Sequence, residues 1–159
     1  MAGYEHRQRG PWLWLMGLPA LALIAAGVYA RGMGAETSAP LAACGLLLLA
    51  VGACFAWLDV RGEPEALVAE FKPLRLFSVR VPYETMQSAE RMRTRLFLHG
   101  YGMHGIPGRF AVYNTWGFDA VRIRLKKPRG LTRVRSVIVG TDDPEGLLAF
   151  LNERIGPGR

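Results

Sequence analysis

The chain has few of the side chains that usually carry chemistry, with 3 histidines and 2 cysteines in 159 residues. Cys44 and Cys54 both lie in long apolar sequence, where a cysteine packs as a small apolar residue, so we expect no disulfide or metal site there. His99 and His104 lie five residues apart without a convincing third ligand. No serine or cysteine nucleophile with a base can be assembled either. We therefore expect no cofactor, no metal and no enzymatic activity.

Charge is absent from two long stretches near the start of the chain, residues 11–30 and 37–58. A helix of about 20 apolar residues crosses a hydrocarbon core about 30 Å thick, and Trp12, Trp14, Tyr29 and Trp57 lie near the ends of the stretches, as aromatic anchors do. We predict transmembrane helices at residues 11–30 and 40–58, joined by an external loop at 31–39. Because neither contains an ionisable group, we do not expect transport through this hairpin alone.

Basic residues flank the two stretches unevenly. Arg7 and Arg9 precede the first stretch, Arg31 alone separates the two, and four more cations follow the second: Arg61, Lys72, Arg75 and Arg80. The positive-inside rule places both termini in the cytoplasm, with residues 1–10 as a cytoplasmic tail of a two-span inner-membrane protein. The first stretch could also be a secretory signal with a small-x-small site at residues 28–30, but its apolar part is longer than such signals have.

Small residues recur in both apolar stretches. Ala22, Ala26 and Ala30 are spaced every fourth residue in the first, and Gly52 and Ala56 have the same spacing in the second. Small residues let two helix backbones approach closely in a membrane. We predict that these faces pack on each other; the alternative is a face for another membrane protein or for a second copy of the chain.

Residues 59–65 are predicted to be a linker, and residues 66–159 are enough for one small domain. Turn residues divide this domain into short segments that we interpret as strands: 66–71, 74–81, 94–98, 109–113, 118–125 and 131–139. The clearest is the fifth, in which Val121, Ile123 and Leu125 alternate with cations. Residues 83–93 are ambiguous between helix and strand.

A helix is predicted to close the domain. Asp142 or Asp143 can cap it, Pro144 fits its first turn, and an apolar stripe follows at helical spacing: Leu147, Leu148, Leu151 and Ile155. We therefore expect a mainly antiparallel β domain capped by a C-terminal helix.

Residues 100–105 match the G-x-G-x-x-G pattern of dinucleotide-binding loops. That site requires the loop to open a helix, whereas strand-like segments follow here. We interpret the glycines as a connection between strands.

Cations are concentrated in the predicted hairpin of residues 118–139, where only Asp119 is a nearby acid. The seven are Arg122, Arg124, Lys126, Lys127, Arg129, Arg133 and Arg135. Beneath a cytoplasmic leaflet such a surface can bind anionic lipid headgroups; a merely solvated strand face is an equally good interpretation. Nucleic acid is not expected as a partner, because no aromatic stacking platform accompanies the cations.

Residues 94–102, 108–110 and 140–148, with the hairpin between them, resemble the bacterial pleckstrin-homology-like (PH-like) domain family. The shared features are an RLF segment leading to glycines and a T-x-D-P-E-like helix start. The resemblance implies a bent seven-stranded sheet or partly open barrel capped by the terminal helix, without catalytic residues.

These features together predict a membrane-anchored, non-enzymatic interaction or assembly module at the cytoplasmic membrane surface. The alternative is an accessory or structural subunit of a larger membrane complex. Expected partners are the bilayer, with its anionic headgroups, and another membrane protein or a second copy.

Overall fold

The computed structural model describes residues 3–94, 100–130 and 132–156. It begins with a strand and then two long helices, α1 (Trp12–Tyr29) and α2 (Ala35–Cys54), which a 3-10 turn (Ala30–Met33) joins. Both helices are long and apolar enough to cross a membrane. In the 18-residue apolar segment of each helix, only 17% (α1) and 11% (α2) is buried within the protein. The rest of the protein therefore leaves most of their apolar surface uncovered, unlike the core helices of a soluble domain.

The helix bounds differ from the predicted spans mainly in the second helix. α2 begins at Ala35 rather than residue 40, directly after Gly34, whose φ of 109° ends the preceding turn. It ends at Cys54, because the apolar residues that follow already belong to a strand that starts at Trp57. Apolarity alone could not separate the end of α2 from a buried strand.

The two helices pack closely at three glycines, of which Gly45 and Gly52 of α2 are seven residues apart. A Cβ atom on Gly45 would lie 2.7 Å from the Ala20 carbonyl oxygen, and one on Gly27 would lie 2.9 Å from the Ser38 carbonyl oxygen. Gly52 makes a similar approach to Met16, as its predicted packing role requires.

The other small residues predicted for this contact lie elsewhere. Ala22 and Ala26 are exposed, because the contact follows Ala20 and Gly27 rather than a four-residue repeat. Ala30 is buried in the turn after α1, and Ala56 is buried beyond the end of α2.

A first antiparallel sheet has the order β1-β2-β3-β4: β1 Glu5–Arg9, β2 Trp57–Gly62, β3 Ala66–Lys72 and β4 Ser78–Pro82. The predicted cytoplasmic tail at residues 1–10 thus contains a strand, and most of the predicted linker at 59–65 is β2. β1 and β2 pair with Arg9 opposite Trp57, so the segments before α1 and after α2 lie at the same end of the helix pair.

A second sheet has the order β5-β8-β9-β7-β6: β5 Met86–Arg93, β6 Gly102–Ile106, β7 Phe110–Asn114, β8 Asp119–Arg129 and β9 Val134–Gly140. Among the described strands of this sheet, only the β7–β9 pair is parallel. The mainly antiparallel prediction is confirmed, although the described residues form nine strands in two sheets rather than the seven implied by the PH-like resemblance.

Most of the predicted segments contain a strand. The segment 74–81 becomes strand only from Ser78, and the ambiguous 83–93 resolves into a short 3-10 turn (Tyr83–Thr85) followed by β5. Of the connection between strands predicted at residues 100–105, residues 100–101 are outside any strand, but Gly102 onward is strand β6, so the prediction was wrong there. All but Thr94 of the predicted strand 94–98 lies outside the described residues.

The C-terminal helix α3 (Pro144–Ile155) covers one end of the core between the sheets. Its cap is Asp143, whose Oδ1 accepts a hydrogen bond of 3.0 Å from the Gly146 amide. Leu147 and Leu151 are fully buried, as the apolar stripe predicted. The predicted capping helix is thus confirmed.

The β domain is joined to the helices at one end, here called the helix end. The Gly10 amide donates to the Ala56 carbonyl (3.1 Å), and the Thr115 hydroxyl donates to the Phe55 carbonyl (2.6 Å). The opposite end, called the far end, contains the β2–β3 turn at residues 63–65. There the Tyr83 amide donates to the Glu65 carbonyl (3.0 Å).

Candidate anion-binding groove

The alternation of β8 sets the polarity of the second sheet. Val121, Ile123 and Leu125 are buried in the core, as predicted. Arg122 and Arg124 therefore lie on the opposite, outer face of the sheet.

An open groove of about 730 Å³ lies on this outer face. Five cations from three segments of the chain line it: Arg109, Arg122, Arg124, Lys126 and Arg135. No acidic side chain lines it among the described residues. Phe110 and Pro128 add apolar surface to its wall. We call this feature the cationic groove.

Arg109 is a member of the groove that sequence reasoning missed. It lies just before β7, and its carbonyl accepts hydrogen bonds from the Arg135 amide (3.0 Å) and the Ser136 amide (3.2 Å) of β9. This contact depends on the parallel pairing of β7 with β9. No local pattern around Gly108 and Arg109 indicates such a pairing.

Glu90 of β5 is the acid that compensates part of this surface, and sequence reasoning missed it as well. Its Oε1 lies 3.1 Å from Arg124 and 3.4 Å from Arg122. Asp119, the acid expected nearby, instead pairs with Arg91 at 3.2 Å. The Nε of Arg122 is buried and has no hydrogen-bond partner within the described parts of the chain.

The other three predicted cations, Lys127, Arg129 and Arg133, do not line the groove. Lys127 and Arg129 line a neighbouring cavity of about 380 Å³ that Glu84 also lines. Arg133 lies in the β8–β9 turn with a φ of 49°. Among residues 3–94, 100–130 and 132–156, five of the seven predicted cations form no ion pair: Lys126, Lys127, Arg129, Arg133 and Arg135. Their positive charge is therefore available to an external anion.

The outer face of the first sheet is different, because its cations are paired. The Asp59 carboxylate accepts hydrogen bonds of 2.6 and 2.9 Å from Arg7, which raises the pKa of Arg7. Glu70 lies 3.2 Å from Arg61 and 3.1 Å from Lys72. The cations on this face are thus largely neutralised by ion pairs with Asp59 and Glu70.

The cationic groove lies toward the far end of the β domain. In β7, Phe110 lines the groove, whereas Asn114 is next to Thr115 at the helix end. The four residues of strand from Phe110 to Asn114 span about 13 Å. In β8, Leu125 pairs with Met86, the first residue of β5. Met86 directly follows the Tyr83–Thr85 turn, and Tyr83 is hydrogen-bonded to Glu65 at the far end. The groove therefore lies on the part of the second sheet that is away from the helices.

Among the described residues, no histidine lines the groove. His104 is exposed on the edge strand β6, and His99 lies outside the described residues. In the part of the chain that the structure describes, no three His, Cys, Asp or Glu side chains are grouped to hold a metal ion. The glycines at 100–105 lead into a strand, so they present no helix N-terminus to a phosphate.

Comparison with known proteins gives a family but no close relative. No curated protein and no solved structure matches the chain. The model of a family described as "Protein of unknown function (DUF3093)" matches residues 3–151. The match begins before β1 and ends within α3, so it includes both helices and both sheets. The chain therefore belongs to the DUF3093 family.

Proposed function

We propose that this protein is a membrane-anchored, non-enzymatic binding module whose cationic groove holds an acidic segment of a partner protein. The helices α1 and α2 anchor it in the bilayer, and the β domain presents the groove. The observation that supports this function is the convergence of five cations on one open groove without an acidic lining residue.

The uncovered apolar surface of the helices supports the proposed anchoring. Their exposed leucines need an apolar environment, which a bilayer provides. Of the 20 Lys and Arg residues, only Arg31 lies between residues 11 and 56. By the positive-inside rule, the β domain and both termini are on the cytoplasmic side.

An acidic protein segment suits the groove better than a headgroup of the anchoring bilayer. The groove lies toward the far end, whereas the bilayer that holds α1 and α2 is at the helix end. The groove is also wide, and Phe110 and Pro128 offer apolar contacts between the cations. An extended acidic chain with apolar side chains uses both features. Binding of anionic lipid headgroups by these cations stays a prediction, and the position of the groove toward the far end does not favour it.

The test measures binding of a fluorescein-labelled peptide of alternating glutamate and leucine to the full chain in neutral phosphatidylcholine nanodiscs. The variant Arg109→Gln/Lys126→Gln/Arg135→Gln should weaken binding by about ten-fold or more, because each charge contributes roughly two- to three-fold. A control for the loss of a cation elsewhere is the single substitution Arg9→Gln, which removes one exposed positive charge at the helix end, against three in the groove variant, and should leave binding nearly unchanged. Added salt should weaken the wild-type complex.

Replacing Glu90 tests the proposal in the opposite direction, by an expected gain of peptide affinity. Glu90→Gln removes the carboxylate that pairs with Arg122 and Arg124, so it should tighten peptide binding. If the triple variant binds the peptide as well as wild type, the groove is not the site and the proposal fails. Binding to anionic vesicles that needs the groove cations, with none to the peptide, would support the headgroup interpretation instead.

A further inference from the structure

We infer that two loops at the helix end, residues 73–77 and 115–118, insert into the interfacial layer of the anchoring bilayer. This inference rests on the membrane anchoring proposed above. It concerns a second surface, distinct from the cationic groove, whose partner is lipid.

The first loop connects β3 to β4 and presents leucines to the outside. Leu74 and Leu76 are 48% and 66% exposed. The loop is held beside the end of α2, because Phe77 stacks on Phe55 with ring centroids 5.4 Å apart. The Phe71 amide also donates to the Phe77 carbonyl at 2.9 Å. The leucines are thus kept at the level where α2 ends.

The second loop connects β7 to β8 and presents aromatic rings. Trp116 and Phe118 are 41% and 45% exposed. The carbonyl of Thr115 accepts a hydrogen bond of 2.7 Å from the Trp12 indole, in the first turn of α1. Trp116 also stacks on Tyr101 at 4.9 Å. This loop is therefore fixed beside the start of α1.

The clustering of these side chains distinguishes them from ordinary surface residues. Single exposed apolar side chains are normal, but here four large ones occupy two loops that both contact the helix ends. Tryptophan and tyrosine are enriched at headgroup level. Arg9, exposed at the end of β1, adds a cation at the same level.

Insertion of both loops would fix the orientation of the β domain on the membrane. The loops come from different sheets, β3–β4 from the first and β7–β8 from the second. Two attachments in addition to the helices prevent the domain from tilting. The cationic groove is then directed away from the bilayer.

Site-directed spin labelling tests the inference in vesicles of phosphatidylcholine and phosphatidylglycerol. Starting from the full chain with Cys44→Ala and Cys54→Ala, labels are placed by Leu74→Cys, Leu76→Cys and Phe118→Cys. Two reference labels use Leu18→Cys, exposed on α1, and Lys127→Cys, exposed at the far end. Collision rates with oxygen, which concentrates in lipid, are compared with those of a water-soluble nickel chelate.

We expect labels at 76 and 118 to collide preferentially with oxygen, as at 18, and the label at 127 to collide preferentially with nickel. The label at 74 provides a second reading from the first loop if one variant misfolds. Nickel preference at all three loop positions, with oxygen preference at 18, would overturn the loop insertion and leave the anchoring intact. Nickel preference at 18 would overturn both.

Discussion

The substitution Leu151→Ala tests whether α3 is an integral part of the β domain. Leu151 is fully buried in the core, where α3 covers the sheets. Leucine-to-alanine changes at such sites cost about 2–5 kcal/mol, from lost burial and from the cavity that is left. A chain of this length loses about 2–4 °C of melting temperature per kcal/mol. For a cost of about 3 kcal/mol, the loss should be about 6–12 °C.

The matched control is the same substitution at Leu148, which lies on the same helix but is only partly buried. It removes the same atoms, and we expect a cost of about 1 kcal/mol. Both melting temperatures are measured on the full chain in detergent by tryptophan fluorescence, for which Trp57 in β2 and Trp116 in the loop between β7 and β8 are reporters. If Leu148→Ala is as damaging as Leu151→Ala, the placement of α3 described above is refuted.

Three further predictions concern the first sheet and the helix pair. Arg7→Met should lower the melting temperature more than Arg9→Met, because only Arg7 neutralises a buried carboxylate of β2; equal losses would contradict this. Gly45→Val should destabilise the helix pair in detergent, because its Cβ would lie 2.7 Å from a backbone oxygen of α1, whereas Gly17→Val meets nothing within 4 Å and should be tolerated. Burial raises the pKa of Tyr4 from 10.0 to about 12. The contribution of the protonated Tyr4 hydroxyl to the stability of the fold is therefore complete below pH 10 and is lost as the pH rises through 12. The melting temperature of Tyr4→Phe should consequently fall less than that of wild type over this alkaline range.

Where a segment's structure depends on its own residues, the sequence was sufficient to predict it. The alternation of Val121, Ile123 and Leu125 predicted both the strand and its buried face. Asp143 and Pro144 predicted the start of α3, because capping is a local interaction between neighbouring residues. The absence of charge from residue 11 to residue 30 likewise predicted α1 almost to the residue.

Segments whose structure depends on distant pairing could not be predicted in this way. β1 consists of residues 5–9, mostly polar or charged, and only its pairing with β2, across the two helices, makes it a strand. β2 was hidden because its apolar residues Leu58 and Val60 directly continue the apolar sequence of α2. Hydropathy detects burial but does not distinguish burial in lipid from burial in a sheet.

The same distinction applies to the candidate site. The cations of β8 and β9 are adjacent in a hairpin, so their grouping was predictable from the sequence. Arg109 joins them only through a parallel strand pair, and Glu90 joins them only because residues 86–93 form a strand beside β8. The sequence therefore indicated the positive charge of the groove but not its shape or its partial compensation.

The position of the helices in the chain explains how the groove keeps a fixed place relative to the helix pair. α1 and α2 are inserted between two neighbouring strands of one sheet, where a simple turn would otherwise connect β1 to β2. Only two residues separate each strand from its helix, and a backbone hydrogen bond from Gly10 to Ala56 closes this junction. A fragment without residues 1–56 would expose the edge of β2 and leave the Asp59 carboxylate without Arg7. The helices and the β domain therefore form one structural unit, and under the proposed function a partner bound in the groove would be held at a defined position beside the bilayer.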